Sequence, residues 1–216
     1  MCIRDSRMIE VSLEDFTKIV VGVDPSVTSG DDADETGILV VAKGPHQEDS
    51  CNTPHCIGHG YVLQDATLPK SNKNSVDKWA RRVVEVFDYW RANVIVIEGN
   101  HGHELLDMAL RTVRNGLPVE RPNARDSKKA RMEPIVALYE QGRIHHLGDP
   151  TQFAALEEQM TTWVPPAEGK RGSKSPDRVD ALVWALAELN LQGRKARPAI
   201  GGFSPLGFSQ TNEWKI

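Results

Sequence analysis

The sequence predicts an α/β fold, a mixed sheet in which an antiparallel meander is followed by parallel strands, with helices packed against it. Two observations carry this reading. Three apolar runs, at 18–24, 36–43 and 58–65, succeed one another with only polar loops between them. From residue 73 onward, segments of helical period alternate with short apolar strands. Strands joined by loops alone pair antiparallel, whereas strands joined through a helix pair parallel.

Taken in order, residues 1–17 carry little pattern and read as a disordered or cloning-derived leader. Strand 18–24 is Lys18-Ile-Val-Val-Gly-Val-Asp24, and an Asp-rich loop 25–35 leads to the unbroken Ile-Leu-Val-Val run of strand 36–43. Loop 44–57 precedes strand 58–65 around Tyr61-Val-Leu63. A helix over 73–91 gathers Trp79, Val83, Val86, Phe87 and Trp90 on one face. Strand 93–98, Asn93-Val-Ile-Val-Ile-Glu98, is followed by a helix near 102–115 with Leu105, Leu106, Ala109, Leu110 and Val113 inward. A short strand near 117–121 leads to a helical stretch over 127–141, which Pro134 either kinks or begins. Asp149-Pro-Thr-Gln152 has the form of a capped helix start, and that helix buries Phe153, Leu156 and Met160. The last helix, 175–190, is expected to take Ser175 as cap and Pro176 at its first position. Its apolar stripe is Val179, Leu182, Val183 and Leu186. The main domain is thus read as 18–190, with 191–216, rich in Gly, Pro and Ser, as a flexible tail.

The chain has 216 residues, enough for one sizeable domain with a buried core. No apolar stretch reaches the length of a membrane span, so no membrane partner is expected. Three cysteines make no disulfide framework and favour a reducing compartment. A net charge of −4 argues against coating nucleic acid by charge alone. Positive charge is nonetheless concentrated in two stretches, Arg121 to Arg131 and Lys170 to Arg178, where it can face phosphates. No Gly-x4-Gly-Lys-Ser/Thr stretch is present, which excludes a P-loop motor.

Three acids stand where elements end or begin. Asp24 closes the first strand and Glu98 the fourth, at the carboxyl ends where ligands collect in such sheets. Asp180 lies in the opening turns of the last helix, at the border of its apolar stripe. Converging, three carboxylates of this kind offer the hard oxygen ligands that suit Mg²⁺ or Mn²⁺. Ordinary alternatives stand beside each: a turn-forming Asp before Pro25, an ion pair for Glu98, and a helix-dipole role for Asp180. Asp177, in the first turn, fits the dipole role and is read as outer-shell support, and Asp34 as a possible further carboxylate. Lys128, Lys129, Arg131 and Lys174 are candidate contacts to a DNA backbone, the alternative being solvated charge. Asn100, His101 and His103, close behind Glu98, are candidate phosphate contacts. Cys51, His55, Cys56 and His59 interleave in one short loop, unlike the spacing of structural zinc sites, and are read as a loop without metal.

With these residues assembled, the chain resembles the carboxy-terminal nuclease domain of the large terminase subunit from tailed bacteriophages. The resemblance spans about 18–190. It rests on Val-Gly-Val-Asp24-Pro-Ser, Asp34-Glu-Thr-Gly-Ile38, Tyr61-Val-Leu-Gln-Asp65 and Val-Ile-Glu98-Gly-Asn100, in that order. It continues through Lys129-Ala-Arg131, Glu133-Pro-Ile-Val-Ala-Leu-Tyr-Glu-Gln-Gly-Arg143 and Leu156-Glu-Glu-Gln-Met160. The block Ser175-Pro-Asp-Arg-Val-Asp-Ala-Leu-Val-Trp-Ala-Leu186 closes the series. The resemblance implies a ribonuclease H-like fold and an endonuclease that cuts double-stranded phage DNA during packaging. Asp24, Glu98 and Asp180 would be the catalytic acids, holding two divalent cations, with Asp24 bridging them. It also implies the host cytoplasm, and the terminase ATPase domain, the small subunit and the portal protein as partners. The chain departs from the family in two places. His101-Gly-His103 stands where a Gln-Gly-Gly-like turn is usual, and loop 44–57 is longer. The packaging ATPase has no counterpart here, which reads as a fragment, a split gene or an excised domain. The rival readings are another ribonuclease H-like nuclease, such as a junction resolvase, and a non-catalytic module docking portal or capsid protein through 191–216.

Overall fold

A computed structural model describes residues 11–25, 35–46, 56–68, 76–98, 103–122, 127–163 and 176–191, with backbone alone for 103–107. Six strands form one sheet in the order β5-β4-β1-β2-β3-β6. The strands β1 (Lys18–Asp24), β2 (Gly37–Gly44) and β3 (His59–Asp65) make the antiparallel meander, and β4 (Val94–Ile97) pairs parallel with β1. A parallel β5 (Val119–Glu120) extends that edge, and a parallel β6 (Ile144–His146) extends the other beyond β3. The helices are α1 (Val76–Tyr89), α2 (His103–Val113), α3 (Lys128–Glu140), α4 (Ala154–Thr162) and α5 (Asp177–Glu188). None of the described helices is long and apolar enough to cross a membrane.

Alternation along the strands divides the core into two layers. Val21 and Val23 of β1, Ile38 and Val40 of β2, and Ile95 and Ile97 of β4 pack with α1 and α2. Val20, Leu39, Val41, Val94 and Val96 face the other way, onto α3, α4 and α5. Both faces are covered, so β1 and β2 read as continuous apolar runs rather than alternating ones.

Glycine governs how closely α5 approaches. A Cβ added at Gly22 would come within 2.3 Å of the Ala181 carbonyl oxygen, and one at Gly37 within 2.2 Å of the Asp177 carbonyl oxygen. These contacts exist because neither strand position carries a side chain. They seat the amino end of α5 across the ends of β1 and β2.

Several expectations change. Strand β6 was not anticipated. It is three residues long and two of them are histidines, so no apolar run announces it, and its pairing with β3 makes it a strand. Helix α3 starts at Lys128 under a Ser127 cap and runs through Pro134, which therefore does not begin it. Asp149 does cap, with Thr151 N–H donating to its side chain, but the first turn, Pro150–Phe153, is 3-10 before α4 begins. In α5, Pro176 occupies the cap position without a side-chain bond, one residue later than expected, and Ser175 lies outside the described residues. Residues 11–17, set aside as leader, contain a 3-10 turn (Leu13–Asp15) with a Ser12 capping box, and Val11 and Phe16 pack on the core. Residues 1–10 and the tail from 192 lie outside the described residues.

Candidate functional site

The register of β1 against β4 pairs Val23 with Ile97, so Asp24 and Glu98 follow at neighbouring positions on adjacent parallel strands. Period-2 alternation gives both the face that carries Val20, Gly22, Val94 and Val96, which α5 covers. Asp180, buried at 4% exposure, sits in the first turn of α5 together with Asp177. Burial raises the Asp24 carboxyl most, and Asp180, Asp177 and Glu98 raise it further, against the opposing pull of Lys128. The result is a pKa pushed up to about 8. The four carboxylates thus form one electrostatic group centred on Asp24.

Two basic residues of α3 hold this group. Lys128 Nζ lies 2.6 Å from Asp180 Oδ2, and Arg131 Nη2 lies 4.0 Å from Glu98 Oε1. Three residues apart, they share a helix face. Trp184, one turn after Asp180, donates from Nε1 to Glu98 Oε2 at 3.3 Å, and its ring carries the Arg131 guanidinium 4.2 Å from its centroid. Lys128 and Arg131 stand against Asp180 and Glu98, and no three of the four acids bring their oxygens within 4.8 Å of one another.

The chain matches the family model described as the terminase RNaseH-like domain over residues 21–189. It belongs to that family. Among solved structures, the large terminase nuclease from thermophilic phage G20c is 14% identical, covers 79% of this chain and 82% of its own, and superposes with a TM-score of 0.53. The same nuclease with bound magnesium gives 14% identity, 79% and 81% coverage and a TM-score of 0.53. A mutant nuclease domain of the large terminase subunit of bacterial virus Sf6, with manganese and beta-thujaplicinol, is 14% identical. It covers 80% of this chain and 89% of its own, with a TM-score of 0.53. At such identity these likenesses establish the ribonuclease H-like fold. No curated protein matches the chain.

The terminase RNaseH-like domain thus sets Asp180, Asp177 and Glu98 near enough to Asp24 to raise its carboxyl, without gathering their oxygens into one ligand cluster. Of the basic candidates, Lys128 and Arg131 reach the acids, while Lys129 is exposed, a turn of about 100° away from Lys128. Arg178, within the second basic stretch, is instead paired with Glu35 and with Asp65, the latter at 2.9 Å, so it ties α5 to the meander. Asp34, Asn100, His101 and Lys174 lie outside the described residues, as does the side chain of His103, whose backbone opens α2. Trp184 was missed because it lies outside the apolar stripe of Val179, Leu182, Val183 and Leu186 and carries no charge to mark it. Its spacing of four from Asp180 was the available signal.

Proposed function

We propose that this domain is a metal-dependent endonuclease that cuts double-stranded DNA during genome packaging, as part of a terminase assembly that includes an ATPase domain, a small subunit and a portal. The observation that carries the proposal is the pair of carboxylates, Asp24 and Glu98, at the carboxyl ends of two adjoining parallel strands, with Asp180 of the first turn of α5 close enough to raise Asp24, within a family of terminase ribonuclease H-like domains.

The donor set fits a hard divalent cation. All candidate ligands are carboxylate oxygens, and the burial and, after it, the neighbouring negative charge that raise Asp24 are what a cation would offset. Asp24, Glu98 and Asp180 would hold it, with Asp177 supporting from the same helix turn. Two such Mg²⁺ or Mn²⁺ ions supply, when bound, a lowered pKa for the attacking water and charge neutralisation at the leaving 3′-oxygen. Trp184 and Arg131 keep Glu98 oriented. Lys128, now on Asp180 and partly exposed, would offer its charge to a backbone phosphate, a contact that positions DNA without reading sequence.

The test is Asp24→Ala. Mn²⁺-dependent cleavage of circular duplex DNA should vanish while the circular dichroism spectrum is unchanged. Cleavage retained by the folded variant removes Asp24 from the mechanism. Activity on four-way junctions but not on plasmid favours a resolvase instead.

A further inference from the structure

We propose that the terminase domain carries a second cation site, of transition-metal type, formed by His46, Cys56 and His59 at the end of the sheet opposite the carboxylates. Ligating atoms of these three residues all lie within 4.8 Å of one another. The register pairs Asp24 with Gly37 and Gly44 with His59, so the two sites stand at opposite ends of strands about 20 Å long.

A His/Cys cluster alone would be weak, but the state of His59 is independent of it. The residue is fully buried, its ring stacked between His46, with centroids 5.1 Å apart, and His145, 4.9 Å apart. Its Nδ1 is 2.6 Å from His145 Nε2, whereas its Nε2 is buried with no hydrogen-bond partner among the described residues. A buried polar atom left unbonded costs roughly 1–3 kcal/mol. A metal at Nε2 removes that cost. The Nδ1–H then donates to His145, the arrangement by which an outer partner fixes the tautomer of a ligating histidine.

Two imidazoles and one thiolate are borderline-to-soft donors and select Zn²⁺ over the Mg²⁺ or Mn²⁺ suited to the carboxylates. The site clips the end of β2, through His46, to the start of β3, through Cys56 and His59. With three donors among the described residues, the fourth position of a tetrahedral ion is left to water or a further side chain; the ion would staple the hairpin at the end of the sheet away from the carboxylates, with no part in cleavage. The sequence names Cys56 and His59 among its interleaved cysteines and histidines, but not His46, which lies outside the Cys-x4-Cys and His-x3-His pattern.

The experiment uses the whole chain, stripped of metal and reduced, with excess Mg²⁺ to occupy the carboxylates. Titration with Co²⁺ should give a one-equivalent thiolate-to-cobalt absorption in the near ultraviolet, which Zn²⁺ bleaches. Cys56→Ser should abolish the band. His46→Ala, an exposed position that does not threaten folding, should weaken Co²⁺ binding by roughly tenfold or more. Wild-type protein without the band, or a band that survives Cys56→Ser and so comes from another thiol, overturns the proposal. Cys56→Ser is expected to cleave DNA normally, so loss of the cobalt band and loss of nuclease activity report on separate sites.

Discussion

Lys128 Nζ stands 2.6 Å from Asp180 Oδ2, joining the first turn of α3 to the first turn of α5. The lysine side chain is 45% exposed and the aspartate side chain 6%, so one partner reaches solvent while the other cannot. Its positive charge occupies the neighbourhood a divalent cation would enter. Lys128→Met should therefore lower the melting temperature in EDTA, because a buried carboxylate loses its counter-charge. Added Mn²⁺ should restore it. Plasmid cleavage should fall about tenfold or more, the scale of a lost charge-assisted contact. Mn²⁺ binding by calorimetry should be retained or tightened. Loss of binding together with activity would show that Lys128 builds the cation site instead of touching DNA.

Asp24 makes stability depend on pH. Its carboxyl is raised to about 8 in the folded chain, against an ordinary value of 3.8. Between those values the folded state keeps a proton that the unfolded state releases, so stability falls as pH rises. The slope is on the order of 1.4 kcal/mol per pH unit while that difference lasts. Below the lower value both states are protonated and the effect disappears. Metal-free Asp24→Asn should lack this slope and melt higher than wild type at pH 8, with no nuclease activity. Parallel pH profiles of the two proteins in EDTA would remove Asp24 as the source.

Gly37 tests the seating of α5. A methyl group there would press within 2.2 Å of the Asp177 carbonyl oxygen, and backbone cannot swing aside as a side chain can. Gly37→Ala should destabilise the fold by about 1–3 kcal/mol. That corresponds to ~2–10 °C in melting temperature. Cleavage should drop more than stability predicts at temperatures where the variant is folded, because Asp177 and Asp180 move with the helix. Full activity in a destabilised variant would separate packing from the site.

Trp184→Phe keeps the aromatic bulk and removes the N–H that Glu98 accepts at 3.3 Å. Cleavage should fall by roughly tenfold, one neutral-to-charged hydrogen bond, with melting temperature nearly unchanged. Unchanged turnover would reduce Trp184 to a packing residue.

What the sequence determined by itself was local. Val-Gly-Val-Asp24 and Val-Ile-Val-Ile-Glu98 each pair an apolar run with a terminal acid, and the order of runs and helical periods implied the mixed sheet. Ser175-Pro-Asp-Arg-Val-Asp180 announced a helix start with acids in its first turn, because caps and periodicity are written within a few residues. The tertiary structure decided everything that depends on two distant segments meeting. Three-residue β6 exists because β3 offers it an edge. Lys128 and Arg131 reach the acids and Lys129 does not, because α3 presents only one face to α5. His46, Cys56 and His59 gather because the β2–β3 register closes their loop, and His145 joins them from β6 across 86 residues. Secondary structure is set by short-range sterics and periodicity, whereas a site is set by the handful of long-range contacts that only a packed chain makes.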